Sequence, residues 1–228
     1  MEQRSAIWLD RREAGQALAA RLLAWEGRHQ DCTVVALPRG GVAVAVEVAR
    51  RLGLPITTWS VRKLVLPDAP ECAIGAIGPG GVELWDPEAG RWLEGRPELR
   101  ARILQQARLE LERRRHCFGD AAGAELRDRH LVIVDDGIAT GLTVGAAIES
   151  LRALAPASLH LAVPVMDQRM QALLASRVES VEALAVVSRL GAVGLYYRKF
   201  AQLDDTAVLE LLERCRSAAN TDGAQAGR

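Results

Sequence analysis

Short apolar runs alternate with longer amphipathic stretches along most of the chain, and that alternation sets the first expectations. Thr33–Leu37 (TVVAL) is apolar almost throughout, the pattern of a strand buried on both faces. Leu131–Val134, Leu159–Val165 and Val181–Val187 read the same way. Ile56–Val61 is expected as a further strand that ends at Arg62 and Lys63. Residues 10–27 place Ala14, Leu18, Leu22 and Trp25 at helical spacing, with Asp10 as a candidate N-cap. A helix over 42–52 follows the break Pro38-Arg39-Gly40-Gly41 and closes at Gly53. Further helices are expected at 97–118, 142–154, 167–176 and 205–216, the first with Pro97 in its opening turn. Residues 64–72 hold two prolines and no period, so they read as a loop. Ala73–Ile77 and Val82–Trp85, split by Gly78-Pro79-Gly80-Gly81, read as a small hairpin, and Leu195–Tyr197 as a short extended piece. Residues 217–228 are small and polar and read as a disordered tail.

Strand–helix alternation with apolar strands predicts an α/β fold: a parallel twisted sheet with helices on both faces, Rossmann-like. Ligands of such folds bind at the carboxyl ends of the strands. That rule selects three loops, 38–41, 62–72 and 135–143.

Composition narrows the ligand. The 228 residues carry 29 Lys+Arg and 29 Asp+Glu, so the formal net charge is zero. A chain built to coat nucleic acid or an acidic membrane is normally basic, so neither partner is expected. Only Lys63 and Lys199 are lysines, which draws attention to Lys63 at a strand end. The N-terminus lacks a signal-type apolar region and no stretch is long enough for a membrane span, making the cytoplasm the default compartment. Cys32, Cys72, Cys117 and Cys215 form no CxxC pair and read as buried thiols. The arginines between 100 and 115 alternate with glutamates and read as a solvated helix or a dimer surface.

The chemistry concentrates in Leu131–Thr143, LVIVDDGIATGLT. A strand ends in two adjacent carboxylates, Asp135 and Asp136. A small-residue turn then leads into a helix. Backbone N–H groups converge at such a helix start and favour an anion. Gly137 and Gly141 permit close approach, and Thr140 and Thr143 bring hydroxyls. The carboxylates repel phosphate and suit neighbouring hydroxyls or a metal ion. A ribose 5-phosphate, with its phosphate beside a vicinal diol, satisfies both halves. GxSxG, GxxxxGK[ST] and GxGxxG are absent, so hydrolase triads, P-loops and dinucleotide sites are not supported.

VIVDDGIATG with Thr143 resembles the phosphoribosyl pyrophosphate (PRPP) signature of the type I phosphoribosyltransferases. ALPRGGVAVAVEVARRLGLP, VRKLVLPDAPECAIGAIGPGG and AVGLYYRKF resemble a bacterial and archaeal subgroup of that family, so the likeness spans roughly residues 10–213. The resemblance implies a single domain over 1–216. A hood would be built from about 1–30 and 188–216, with Tyr196, Tyr197 and Phe200 near it, and a flexible loop would cover about 64–80. It implies that Asp135 and Asp136 bind the ribose hydroxyls and Mg²⁺, the metal through water. Gly137, Ile138, Ala139, Thr140, Gly141 and Thr143 would bind the 5-phosphate. Arg39, Gly40, Gly41, Arg62 and Lys63 would bind pyrophosphate, the loop at 38–41 often holding a non-proline cis peptide. Asp135, Asp136 and Lys63 are the implied catalytic set. The implied reaction moves ribose 5-phosphate from PRPP to a nitrogen acceptor, a nucleobase-like small molecule, with Mg²⁺ as cofactor and release of pyrophosphate. A PRPP-sensing protein without transfer is the alternative reading, and homodimers are common in the family.

Overall fold

A computed structural model describes residues 6–225. The first helix, α1 (Arg11–Arg21), is capped by Asp10, whose carboxylate accepts from the Glu13 N–H at 3.0 Å. Next come β1 (Cys32–Ala36), α2 (Gly40–Leu52) and β2 (Ile56–Thr58). Gly53 ends α2 in the left-handed region, at φ 64°, as a C-cap glycine should. Three antiparallel strands follow: β3 (Arg62–Leu66), β4 (Ala69–Gly78) and β5 (Val82–Trp85). Then come α3 (Pro87–Glu94), α4 (Pro97–Phe118), α5 (Gly123–Leu126), β6 (His130–Val134) and α6 (Leu142–Arg152). The chain closes with β7 (Ser158–Asp167), α7 (Gln168–Ala175), β8 (Ser180–Val187) and α8 (Asp205–Gln225).

The main sheet is fully parallel in the order β2-β1-β6-β7-β8. Its strands alternate between two cores, as a period of two requires. Val34, Ala36, Val132 and Val134 face a cluster with Leu18 of α1, Val48 of α2 and Val208 of α8. Val35, Leu131 and Ile133 face the other cluster with Ile148 and Leu151 of α6 and Leu174 of α7. The three-stranded sheet forms a separate core with α4, through Leu64, Ile74, Ile77, Ile103, Leu104, Ala107 and Leu111.

Several expectations are corrected. The second strand stops at Thr58, so Arg62 and Lys63 open β3 instead of ending β2. Residues 64–72 are not a loop but most of a β3–β4 hairpin turning at Pro67-Asp68. Helix α3 is an addition to the expected elements; Asp86 caps it with hydrogen bonds from the Glu88 and Ala89 N–H groups, both 3.0 Å. The segment at 195–197 is largely a 3-10 turn over Val193–Tyr196. The last helix runs to Gln225, past the expected start of a disordered tail. The expectations for residues 1–5 and 226–228 lie outside the described residues.

The turn out of the main sheet, residues 59–61, is held by Asp120. Its carboxylate accepts from the Ser60 N–H (2.7 Å), the Ser60 hydroxyl (3.0 Å) and the Thr58 hydroxyl (2.8 Å). Thr58 and Ser60 have no exposed surface. Burial pushes the Asp120 carboxyl up, against the bonds from Ser60 and Thr58 that hold it down. Asp120→Ala strands three buried donors, so a loss of about 2–4 kcal/mol is expected. In a melting experiment this appears as a Tm lower by roughly 5–15 °C.

Candidate active site

β1 and β6 are neighbours with Ala36 opposite Val134, so the loops that leave them start side by side. From β1 the chain crosses over to β2, and from β6 to β7 on the other side. The point where the order reverses is where an open α/β sheet leaves a crevice at its carboxyl edge. Loops 38–41 and 135–143 line it.

The two loops touch. Leu37 N–H donates to Val134 O at 3.0 Å, and the Pro38–Arg39 peptide is cis. A Cβ on Gly41 would stand 2.8 Å from Val134 O and 2.9 Å from Asp135 Cα; one on Gly40 would run into the Asp136 carboxylate. Both positions therefore require glycine for closeness to the acidic pair. Asp135 and Asp136 are partly buried side by side. Burial, and then the charge of Asp136, push the Asp135 carboxyl well above the usual carboxylate range. Asp136 is gripped from outside its loop. Arg11 Nε donates to its Oδ2 at 2.7 Å, and Tyr197 Oη donates to its backbone carbonyl at 2.6 Å. Burial, and then the Asp136 charge, raise the Tyr197 phenol, which stays a neutral donor. The Arg11 guanidinium also lies over the Phe200 ring at 3.7 Å and donates to Ala201 O at 2.9 Å.

The turn after the acids has two parts. Ile138 anchors it: its N–H donates to Val165 O, its C=O accepts from the Asp167 N–H, both 2.9 Å, and its side chain is buried. Ile138, expected among the phosphate-binding residues, thus has its backbone N–H already engaged by β7. Gly137 fits only without a side chain, as a Cβ would meet Val193 and Val165 at under 3 Å. Gly141 takes the left-handed conformation, φ 72°, directly before α6. The opening turn of α6 brings N–H groups that have no partner within the helix. Thr140 is exposed and Thr143 lines the crevice.

The crevice itself is a cleft of about 290 Å³ dominated by cations. Arg39, Arg62 and Lys63 line it, and so do Arg11 and Arg114, which the motifs did not indicate. Asp136 is the only carboxylate among the lining residues. Arg62 is pushed down by burial and then by the nearby positive charge of Arg114. Arg39 stands 3.8 Å from Asp205 of α8, which also pairs with Arg113 at 2.8 Å. The reading of the 100–115 arginines as solvated surface therefore fails for Arg114, which turns inward to the cleft.

The segments expected to form a hood come together. Residues 7–9 hydrogen-bond to 196–199 in a short ladder, and Trp8 and Tyr197 pack with ring centroids 5.7 Å apart. Leu190 and Val165 complete that cluster. Asp167, fully buried at the end of β7, accepts from the Leu190 N–H at 3.0 Å and ties the 188–190 turn to the sheet. Among the described residues no group of three or more His, Cys, Asp or Glu side chains could hold a metal ion, and no helix is long and apolar enough to cross a membrane.

This geometry has counterparts. The chain is 39% identical over 219 residues to two Mycobacterium tuberculosis proteins, MT0597 of strain CDC 1551 / Oshkosh and Rv0571c of strain ATCC 25618 / H37Rv, each named "Putative phosphoribosyl transferase". The match takes in 96% of this chain but 48% of theirs, so the chain spans about half the length of these relatives. The crystal structure of TT1426 from Thermus thermophilus superposes with a TM-score of 0.70 at 37% identity, over 91% of this chain and 98% of that one. The model of the phosphoribosyl transferase domain matches residues 9–182, a span that holds both glycine turns, the acidic pair and all five cations of the cleft, and the chain belongs to that family.

Proposed function

We propose that this domain transfers ribose 5-phosphate from PRPP to a nitrogen of a nucleobase-like small molecule and releases pyrophosphate. The observation that carries the reading is the juxtaposition at the switch point. A cleft lined by Arg11, Arg39, Arg62, Lys63 and Arg114 opens beside the Asp135–Asp136 pair and the start of α6. One face suits a pyrophosphate, the next a diol, and the helix start a 5-phosphate.

In this reading the N–H groups of Gly137 and of residues 139–143 receive the 5-phosphate. The carboxylates of Asp135 and Asp136 accept from the ribose hydroxyls and hold the ring. Magnesium suits the residues present: Arg11 pairs with Asp136, yet burial and then the Asp136 charge still push the adjacent Asp135 carboxyl up, and a divalent ion held by the two would favour its ionised form. With only two protein carboxylates available, the remaining ligands of an oxygen-preferring ion would come from substrate and water. Bound there, Mg²⁺ would neutralise charge on the diphosphate. The sugar C1–oxygen bond to pyrophosphate breaks as the carbon–nitrogen bond forms. Negative charge grows on the leaving oxygens, where Arg39, Arg62, Lys63 and the Gly40 and Gly41 amides meet it. Little covalent work falls to any side chain. The hairpin β3–β4, which carries Arg62 and Lys63, would close over the site and exclude water.

The test is direct. The chain is incubated with PRPP, Mg²⁺ and a panel of purine and pyrimidine bases, and pyrophosphate is measured. Release that depends on one acceptor and stops on chelation of the metal is expected. PRPP binding with no release for any acceptor would favour the sensor reading. No PRPP binding at all would overturn both.

A further inference from the structure

We infer that Arg114 of α4 is a further anion-binding residue of the cleft, contacting the pyrophosphate end of the ligand. This assignment rests on the PRPP reading above. Its first support is the helix itself. Ile103, Leu104, Ala107, Leu111 and Phe118 form the buried stripe of α4. Position 114 lies three residues after Leu111 and four before Phe118, on that same stripe, where an apolar side chain is the default. An arginine occupies it, and its side chain is only 12% exposed, against 49% for Arg113 and 35% for Arg115.

The second support is where the guanidinium stands. It lines the cleft with Arg11, Arg39, Arg62 and Lys63, and its charge is the strongest of those acting on Arg62. Clustered, partly desolvated guanidinium groups repel one another, and an anion between them relieves the cost. Glu110 compensates in part: Arg114 Nε donates to its Oε1 at 2.8 Å. That carboxylate is shared, however, because Arg113 binds both its oxygens at 2.8 and 3.0 Å. Glu110 is accordingly held down to about 2, first by Arg113. Among the described residues Nε makes the one hydrogen bond of the Arg114 side chain. Its terminal N–H groups are left to a ligand, in the planar fork that suits phosphate oxygens.

A structural role and a ligand role separate cleanly in one variant. Arg114→Met restores the apolar stripe, so its Tm should equal or exceed that of the parent. Calorimetric titration with inorganic pyrophosphate and Mg²⁺, and separately with PRPP and Mg²⁺, should show affinity reduced about 10- to 100-fold. Arg114→Lys keeps the charge and loses the fork, and should fall between. Arg113→Gln, an exposed neighbour on the same carboxylate, should bind within about twofold of the parent. Parent-like pyrophosphate affinity in Arg114→Met would overturn the assignment while leaving the PRPP reading intact. A parent chain that binds neither ligand would overturn both.

Discussion

Titration of PRPP with Mg²⁺ into the chain carrying Asp135→Asn and Asp136→Asn is expected to give no measurable binding, with the fold preserved. The substitutions keep shape and remove both charges. Each lost charge-assisted contact to a ribose hydroxyl or to a metal-bound water is worth about 1.5–3 kcal/mol, so affinity should drop by about 100-fold or more. Stability should change little, for opposing reasons. Arg11 loses a charged partner at 2.7 Å, although an amide oxygen still accepts its hydrogen bond. The burial and the neighbouring charge that push Asp135 up are relieved at the same time. Circular dichroism should remain that of the parent, and the melting curve should stay cooperative. Full-strength PRPP binding by this double variant would sink the assignment of the ribose site.

Gly41→Ala tests the closeness of the two loops. The added methyl would meet Val134 O at 2.8 Å and Asp135 Cα at 2.9 Å, both parts of the backbone that cannot swing aside. Either α2 or the β6 loop must shift. Overpacking of this kind costs about 1–3 kcal/mol, which a denaturant titration would detect. The larger effect falls on function. A displacement on the order of 1 Å at a catalytic group can cost about 100-fold, and here one methyl separates the proposed pyrophosphate loop from the proposed ribose loop. A fall of that size in pyrophosphate release, with a chain that still folds, is expected. Unchanged turnover would show that the loops need not touch.

Much of this is readable from the chain because the main elements are contiguous. LVIV followed by DDG, and TVVAL followed by PRGG, each announce a buried strand and its turn within a few residues. The three-stranded sheet is hidden by its prolines. Pro67 sits in the hairpin turn, where it is tolerated. Pro70 lies outside Gly75–Gly78, the only part of β4 paired with β5. Irregular register at Leu64, Val65 and Leu66 blurs the alternation further. The extension of α8 past residue 216 escapes notice because its alanines look like small tail residues, although alanine is the best helix former. Arg11 is invisible for another reason: nothing local marks a residue whose partners are Asp136, Phe200 and Ala201. Arg114 does leave a trace, as a charge on the 107-111-118 stripe, but among six arginines in one helix it does not stand out.

The Arg11 clamp also orders events in time. A ribosome that has delivered Arg11 still has 190 residues to add before the Ala201 carbonyl exists. The parallel strands can pair progressively, yet contacts this distant in sequence form late and slowly. A nascent chain halted before residue 197 lacks the Tyr197 hydroxyl as well, leaving Asp136 with Arg11 as its remaining outside anchor and Arg11 without the ring on which it rests. Such a chain carries the whole signature motif but not the C-terminal contacts that fix Arg11 and the Asp136 backbone in place.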